Sequence, residues 1–307
     1  MKRGPLFLIP VILLWATTPL LVSELSAQLP VYQINALAAL FALIVLALGL
    51  TLFRQWGALA RYPGRDRRRM LLLGAVGIFP YATLYYLAFS LAPSAAGDVN
   101  IINYLWPIWV LVLSAPLLKE RLGWRGVLSV LLGFLGVYLL ASGGRLQKFR
   151  IEHWQAYLCA GSGAFFWGLF SVLSKRQRYE PLPAMFLYSL GALACFIVVV
   201  LGYALAPGPA GAGRLVLPAL PAWLLLLLLG GGANGLGYLC WILALRGGHT
   251  ARIATLAYLT PFAALLYLAL FRGSPVRPLQ LASLALILAG PIIDGILDRR
   301  KPHGRQE

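Results

Sequence analysis

The stretch Tyr104-Leu105-Trp106-Pro107 recurs 154 residues later as Tyr258-Leu259-Thr260-Pro261. Each copy lies in the fourth apolar segment of a half that contains five such segments. Trp15 and Trp167 also correspond, in the first segment of each half, at an offset of 152 residues. Because two separate anchors recur at nearly the same offset, the sequence indicates an internal duplication.

The composition is typical of a membrane protein. Of the 307 residues, 60% are hydrophobic and 11% are charged, and the mean hydropathy is +0.80. A soluble domain carries about 25% charged residues. Since one crossing of a bilayer takes about 20 mainly apolar residues, most of the chain can lie in membrane spans, and no sizeable soluble domain is left.

Apolar runs separated by Arg, Gly and Pro predict ten membrane-spanning helices. The predicted spans of the first half are residues 5–24, 32–53, 70–91, 96–117 and 123–142. Those of the second half are residues 154–174, 182–206, 219–245, 252–271 and 278–297. The predicted fold class is an all-α polytopic membrane protein made of two five-helix repeats, residues 1–148 and residues 149–307, the second with a short tail.

An odd number of spans in each half means that the two halves cross the membrane in opposite senses. Inverted repeats related by a pseudo-two-fold axis in the membrane plane are typical of secondary transporters, in which two oppositely facing conformations give access to a site near the midplane. The duplication therefore predicts a transporter that works by alternating access.

The basic residues predict the orientation, because Lys and Arg are retained on the cytoplasmic side of short loops. With a cytoplasmic N-terminus, twenty of the 26 Lys and Arg residues fall on the cytoplasmic side, so both termini are predicted to be cytoplasmic. The net charge of +17 follows this sidedness, and no nucleic acid partner is predicted. The Arg-rich residues 61–69 are interpreted as a topology determinant, with contact to anionic lipid as the alternative.

One face of the fourth span is polar. At 100° per residue, Asn100, Asn103, Tyr104 and Pro107 share an arc of about 100°, with Trp106 at its edge. Two amides facing lipid would be costly, so we expect this face to line a cavity. The alternative is that the amides only bond neighbouring helices and the proline only kinks its own helix.

Other spans carry aromatic, hydroxyl or amide groups that suit a ligand with a polar head and an aromatic body. The further predicted substrate-binding residues are Trp15, Thr18, Tyr81, Tyr85, Trp167, Ser171, Asn234, Tyr238, Trp241 and Tyr258. Proline removes a helical hydrogen bond, and the predicted hinges are Pro80, Pro107 and Pro261. Trp109, on the opposite side of the fourth span, is predicted to face lipid.

Few ionisable groups lie within the spans. Asp98 is the best candidate for a proton relay. The alternative is that it only caps its helix, because the N-terminus of a helix favours an acidic residue. Its repeat counterpart Arg252 either meets a substrate carboxylate or anchors the topology. Cys159, Cys195 and Cys240 form no close-spaced pair, and neither a metal site nor a cofactor is predicted.

These motifs resemble the drug/metabolite transporter superfamily, EamA type. The similarity rests on Asn103-Tyr104-Leu105-Trp106-Pro107, on Leu118-Lys119-Glu120-Arg121, and on a fifth helix that contains Gly126, Gly133 and Gly136. The aromatic content is most similar to the YddG-type aromatic amino acid exporters. The resemblance implies export of aromatic amino acids or similar amphipathic metabolites across a bacterial inner membrane, by a protein with no catalytic residues whose partners are its substrate and the lipid bilayer. The expected oligomeric state is a monomer.

The sequence leaves other functions open. Within the resemblance, the substrate could be another small metabolite or an organic cation, whereas a phosphorylated substrate would require cations that the spans lack. Gly161-Ser162-Gly163 permits an intramembrane hydrolase, although His249, the histidine near a span on another helix, lies at a membrane edge. A passive channel or a lipid-packing protein would need no catalytic residue at all.

Overall fold

Every regular element in the computed structural model is a helix, and the model describes residues 4–120, 123–144, 151–205, 215–272 and 278–299. Eight helices in this part of the chain are long and apolar enough to cross a membrane. The helical run 250–272 and the helix Pro278–Arg299 complete the ten that the sequence predicts. The predicted junction at residues 148–149, Arg121 and the tail beyond Arg299 lie outside the described residues.

We number the spans 1 to 10 in chain order. Spans 1 to 5 are the 3-10 turn Gly4–Phe7 with helix Leu8–Ser26, then Val31–Leu52, Gly64–Leu91, Ala96–Asn103 continued by Trp106–Leu118, and Trp124–Ser142. Spans 6 to 10 are Trp154–Arg176, Pro181–Leu205, Leu220–Gly247, Thr250–Leu256 continued to Arg272, and Pro278–Arg299. A short helix, Trp56–Arg61, connects spans 2 and 3. Span 3 begins six residues earlier than predicted, because the Arg-rich run forms its first turns.

Spans 3 and 8 each contain a π-helical segment in which the hydrogen bonds reach five residues back instead of four. These segments are Gly74–Ile78 and Leu228–Gly237, and their first residues are separated by the same 154 residues as the repeated motif. Sequence periodicity did not predict these segments. The duplication has therefore kept an irregular backbone feature as well as a sequence motif.

Spans 4 and 9 are both interrupted at the repeated motif, in span 4 at Tyr104 and Leu105 and in span 9 by the 3-10 turn Ala257–Leu259. Pro107 and Pro261 are each the second residue of the helix that follows, and Pro80 is likewise the second residue after the π segment of span 3. Proline lacks the N–H that a helix interior needs. Each predicted hinge proline thus follows a change in helix geometry, and hinge motion itself stays a prediction.

The packing of the spans follows a pseudo-two-fold relation between the halves. Span 3 packs against spans 6 and 7, and correspondingly span 8 packs against spans 1 and 2. Span 4 packs against span 6, and correspondingly span 9 packs against span 1. Counterpart spans also pack against each other in three pairs, which are spans 2 and 7, spans 4 and 9, and spans 5 and 10. The central helices therefore come from both halves, and the chain has the ten-helix inverted-repeat fold.

Glycine allows spans 3 and 7 to approach closely. A Cβ atom at Gly74 would lie 1.8 Å from the backbone oxygen of Tyr188, and one at Gly191 would lie 2.0 Å from the backbone oxygen of Leu71. A side chain at either position would overlap the backbone of the facing helix, so glycine is needed for the two helices to pack at this distance. Span 3 carries Tyr81, Tyr85 and Tyr86 of the site, so this contact fixes their position relative to span 7.

Trp109 is half-buried, with part of its side chain packed on span 6, and its contact with lipid stays a prediction. Its ring centroid lies 5.2 Å from that of Phe165 in an edge-on arrangement, and its Cβ stands where a side chain at Gly168 would have to go. The helical wheel placed Trp109 correctly on the side opposite the polar face. That side contacts span 6, a neighbour that sequence periodicity does not identify.

Candidate functional site

A vestibule of about 680 Å³ lies between spans 1, 3 and 4. It reaches the connections between spans 1 and 2 and between spans 3 and 4, where it is lined by Leu29, Pro30 and Pro93. We call the opposite side, where spans 2 and 3, 4 and 5, 6 and 7, and 8 and 9 are connected, the basic face. The vestibule therefore opens away from the basic face.

A smaller chamber of about 60 Å³ adjoins the vestibule and extends it towards span 8. The two cavities share Thr18, Pro19, Tyr85 and Tyr86. Ten of the predicted site residues line the chamber, namely Trp15, Thr18, Tyr81, Tyr85, Asn103, Tyr104, Trp106, Trp167, Asn234 and Tyr238. Asn100 lines the vestibule. The structure thus places eleven of the fourteen candidates on one continuous cavity.

The chamber is surrounded by aromatic rings from both halves. The ring of Trp15 has its centroid 5.6 Å from that of Trp167, its repeat counterpart, and 6.0 Å from that of Trp106, both in edge-on arrangements. Tyr81 and Tyr238 pack on Trp167 at 4.9 and 4.5 Å. Edge-on and tilted pairs add about 0.5–1.5 kcal/mol each beyond burial, so these rings hold one another in place.

Several polar groups at the cavity make no hydrogen bond within the described chain. The Oδ1 atom of Asn103 is buried without a partner, and the indole N–H groups of Trp106 and Trp167 donate to no protein acceptor among the described residues. By contrast, Trp15 Nε1 donates to the Ala233 carbonyl at 3.1 Å, in the π segment of span 8. The chamber therefore offers at least one free acceptor and two free donors.

The three other candidates lie behind the chamber wall. Trp241 Nε1 donates to Ser171 Oγ at 2.9 Å, and that hydroxyl donates to the Trp167 carbonyl at 2.7 Å. The Tyr258 hydroxyl donates to the Tyr104 carbonyl at 3.1 Å. All three side chains are fully buried. In this conformation Ser171, Trp241 and Tyr258 position residues that line the cavity and do not line it themselves.

Four chamber residues were not among the predicted site residues, and two of them, Tyr86 and Thr260, carry a hydroxyl group; the others are Pro19 and Ala82. Tyr86 borders the chamber beside Tyr85, although adjacent helical residues point about 100° apart. Thr260 is the repeat counterpart of Trp106, so applying the 154-residue offset to each candidate would have found it. Asn100 accepts a hydrogen bond from the Tyr85 hydroxyl at 3.1 Å, which ties spans 3 and 4 at the vestibule.

The two ionisable candidates lie apart from the chamber. Asp98 is in the first turn of span 4, where its Oδ2 accepts a hydrogen bond from the Tyr157 hydroxyl at 3.0 Å. Arg252 is exposed in the first turn of span 9. Neither residue lines the vestibule or the chamber, so a role for either of them in transport would have to be exerted from outside the cavity.

On the basic face, an ion pair joins the ends of spans 4, 6 and 9. Lys175 Nζ lies 2.8 Å from Glu120 Oε1 and 2.6 Å from Thr250 Oγ1, and it donates to the Gly248 carbonyl at 3.3 Å. The Thr250 hydroxyl donates to Glu120 Oε1 at 2.9 Å. We call this group of four residues the latch.

The latch changes the acidity of its carboxyl group. Burial alone would raise the pKa of Glu120, but the hydrogen bonds from Lys175 and Thr250, with the positive charge of Lys175, lower it further than burial raises it. Glu120 is therefore ionised at neutral pH. The sequence does not predict the contact between Lys175 and Glu120, because residues 55 positions apart give no local sign that they pair.

Comparisons with known proteins agree with this architecture. A model of the EamA-like transporter family matches residues 2–142 and 154–293. The aromatic amino acid exporter YddG of Ancylobacter novellus is 28% identical over 94% of this chain and 96% of its own length. YddG of Salmonella typhimurium is 24% identical over 98% of this chain and 99% of its own. A probable terminal-alkyne amino-acid exporter of Streptantibioticus cattleyicolor is 24% identical over 79% of this chain and 77% of its own.

A solved structure shares the whole architecture. It superposes with a TM-score of 0.82 at 26% identity, covering 98% of this chain and 99% of the other. The family match covers both five-helix halves and leaves few residues of the chain unmatched. The chain therefore belongs to the EamA-like transporter family and is a multi-pass membrane transporter of a small molecule rather than an enzyme.

Proposed function

We propose that this protein exports aromatic amino acids, or amphipathic metabolites of similar size, across a bacterial inner membrane by alternating access. The observation that carries the proposal is the chamber itself, which is bounded by three tryptophans and five tyrosines contributed by both halves. The names of the similar exporters from Ancylobacter and Salmonella support the same substrate class.

The lining explains a preference for an aromatic body. Rings prefer offset or edge-on contact with other rings, and a planar substrate between Trp15, Trp106 and Trp167 would meet such faces on several sides. The chamber alone is too small for an aromatic amino acid, but it is continuous with the vestibule. The substrate would therefore occupy the chamber and the adjoining part of the vestibule together.

The polar groups of the site suit a zwitterion. None of the described side chains that line the vestibule or the chamber is charged. A substrate with net charge would lose its hydration without gaining a counter-charge. The ammonium group can donate to the free Oδ1 of Asn103, and the carboxylate can accept from tyrosine hydroxyls and free indole N–H groups. This arrangement disfavours phosphorylated substrates and dicarboxylates.

The two faces of the molecule support alternating access. The vestibule opens away from the basic face, while the latch holds spans 4, 6 and 9 together on that face. With the basic face in the cytoplasm, as the distribution of Lys and Arg predicts, this conformation faces outward. Export would require a second conformation in which the latch opens and the walls of the vestibule close.

The latch has no copy in the other half. At the 152-residue offset of spans 1 and 6, Lys175 corresponds to Ser23, and at the 154-residue offset Glu120 and Thr250 correspond to Ser274 and Ala96. The counterparts of the latch residues therefore carry no charge and cannot form the same ion pair. This asymmetry favours the outward-open conformation when no substrate is bound, because one of two otherwise similar states gains an additional partly buried ion pair.

Equilibrium binding to the purified protein tests the substrate class. Calorimetric titration with L-tryptophan, L-phenylalanine, L-glutamate and L-lysine should give saturable heats for the two aromatic amino acids alone. Equal binding of L-lysine or L-glutamate would contradict the uncharged, ring-lined site. Binding of a flat organic cation in place of the amino acids would favour the alternative substrate class.

A further inference from the structure

A third cavity lies beside the chamber, where spans 2, 3, 7 and 8 meet. It has a volume of about 20 Å³, and it shares Ala82, Asn234 and Tyr238 with the chamber. Most of its wall is apolar, formed by alanine, isoleucine and phenylalanine side chains. The four lining residues that carry a side-chain amide or hydroxyl group are Asn35, Ser189, Asn234 and Tyr238.

Asn35 in span 2 and Ser189 in span 7 are repeat counterparts, separated by the 154 residues of the duplication. Ala42 and Phe196, which also line the cavity, are separated by the same offset. Spans 2 and 7 are themselves counterparts that pack against each other. The cavity therefore lies on the pseudo-two-fold axis, where the two halves present corresponding positions to one another.

Asn35 and Ser189 are both buried, each with 4% of its surface exposed. Among the described residues neither side chain hydrogen bonds to protein, whereas Ser114, Ser171 and Ser174, at comparable depth, bond to their own helices. Asn234 is near the hydroxyl of Tyr86. A buried amide or hydroxyl without a partner destabilises the fold, and two such groups facing one cavity indicate a shared ligand.

The size and chemistry of the cavity identify that ligand. A polar cavity holds a water molecule when it offers at least about 10–15 Å³ and two to four polar partners. No carboxylate lines the site, so a buried cation would find no counter-charge among the described lining residues. We propose that one ordered water molecule is bound here and that it bridges Asn35, Ser189 and Asn234.

The bridge would join spans 2, 7 and 8 at the axis about which the two halves are related. A water molecule can exchange one hydrogen-bond partner for another without the rotamer change that a direct side-chain contact needs. The contact between the halves can therefore shift during transport while its polar groups stay paired. This inference rests on the geometry of the axis and does not depend on the identity of the transported substrate.

Density at about 2 Å resolution for the purified, full-length protein tests the site directly. The expected result is a single peak 2.7–3.2 Å from side-chain atoms of Asn35, Ser189 and Asn234, unchanged between sodium, potassium and choline buffers. Oxygen distances near 2.4 Å in sodium buffer that disappear in choline would instead identify a cation and overturn the proposal. An empty cavity in a map that resolves other buried waters would also overturn it.

A mutant cycle gives an independent test. Asn35→Leu fills the cavity, expels the water and leaves the Ser189 hydroxyl unpaired, so the thermal unfolding midpoint should fall. Ser189→Ala alone should also lower the midpoint, because the water loses a partner. When added to Asn35→Leu, however, Ser189→Ala should raise the midpoint, since it removes the unpaired hydroxyl.

The control is Ser114→Ala, because Ser114 is equally buried and bonded to the Leu111 carbonyl. Its effect on the midpoint should be the same with and without Asn35→Leu. If Ser189→Ala also lowers the midpoint by the same amount in both backgrounds, the two residues share no ligand and the proposal fails. Should the Asn35→Leu protein not fold, the density measurement on the unmodified protein still decides.

Discussion

The hydroxyl of Tyr258 donates a hydrogen bond of 3.1 Å to the backbone carbonyl of Tyr104, so the two tyrosines of the repeated motif are bonded to each other. The carbonyl of Tyr104 is available because span 4 is interrupted there. The relation is not reciprocal, since Tyr104 lines the chamber and Tyr258 is buried behind it. The tyrosine of the first copy lines the cavity, and the tyrosine of the second copy stabilises the first by a hydrogen bond.

Removing each hydroxyl should therefore have a different effect. Tyr258→Phe should lower the free energy of unfolding by about 1 kcal/mol, because the buried carbonyl of Tyr104 loses its donor, and should leave tryptophan affinity within twofold. Tyr104→Phe should lower tryptophan affinity and leave stability nearly unchanged. Denaturation midpoints and calorimetric titration of both variants check this. Similar losses of affinity in the two proteins would contradict the assignment.

The free Oδ1 of Asn103 predicts that this residue matters more for binding than for stability. Asn103→Leu removes the unpaired Oδ1 together with the amide that contacts the Tyr81 hydroxyl, so the unfolding midpoint should change little. The same substitution should weaken tryptophan binding by about tenfold, which corresponds to about 1.4 kcal/mol. The control is Asn100→Leu, which breaks the bond to Tyr85 and should lower the midpoint.

Breaking the latch should move the protein away from the outward-open conformation. The background is a cysteine-free protein that carries Ser23→Cys in the vestibule. In this background, we expect Lys175→Met to reduce the rate at which a membrane-impermeant maleimide labels position 23 from outside. Arg176→Met is the matched control, because Arg176 is exposed and makes no ion pair within the described chain. An unchanged labelling rate in Lys175→Met would show that the latch does not hold this conformation.

The pH dependence of the latch follows from the lowered pKa of Glu120. A carboxyl group whose folded-state pKa is depressed stabilises the protein above its unfolded pKa, and this contribution is lost as the pH falls through the folded value. The difference in unfolding midpoint between the unmodified protein and Glu120→Gln should therefore be constant from about pH 8 to pH 6. The difference in midpoint should shrink only below pH 4.5, which is the ordinary pKa of a glutamate carboxyl group. A difference that already shrinks near pH 6.5 would contradict the lowered pKa.

The sequence predicted much of the fold because hydropathy and proline are local signals. Apolar runs gave the approximate limits of all ten spans, and the repeated Tyr-Leu-x-Pro motif identified where spans 4 and 9 are interrupted. The π segments of spans 3 and 8 were not predicted. Hydrogen bonds that reach five residues back depend on which helices pack alongside, and the sequence of one span does not show this. The close approach of Gly74 to Tyr188 is one such contact.

Part of the candidate site was predicted because helical periodicity is also a local signal. Helical periodicity identified which face of each span carries aromatic and amide groups, and most of those groups line the cavity. It could not distinguish a side chain that faces the cavity from one that bonds to the next helix, as Trp241 does with Ser171. Nor could it reveal that Lys175 and Glu120 pair across the basic face.

The central claim is that the protein is a carrier for aromatic amino acids, and counterflow in proteoliposomes tests it most directly. Vesicles that contain the purified protein are loaded with labelled tryptophan, and unlabelled tryptophan is then added outside. We expect external tryptophan to accelerate release of the label with saturable dependence. Trp106→Ala should weaken this effect more than Trp154→Ala, because Trp154 is 57% exposed and does not line the chamber. No acceleration by any aromatic amino acid would contradict the proposed substrate, and release that never saturates would indicate a channel instead of a carrier.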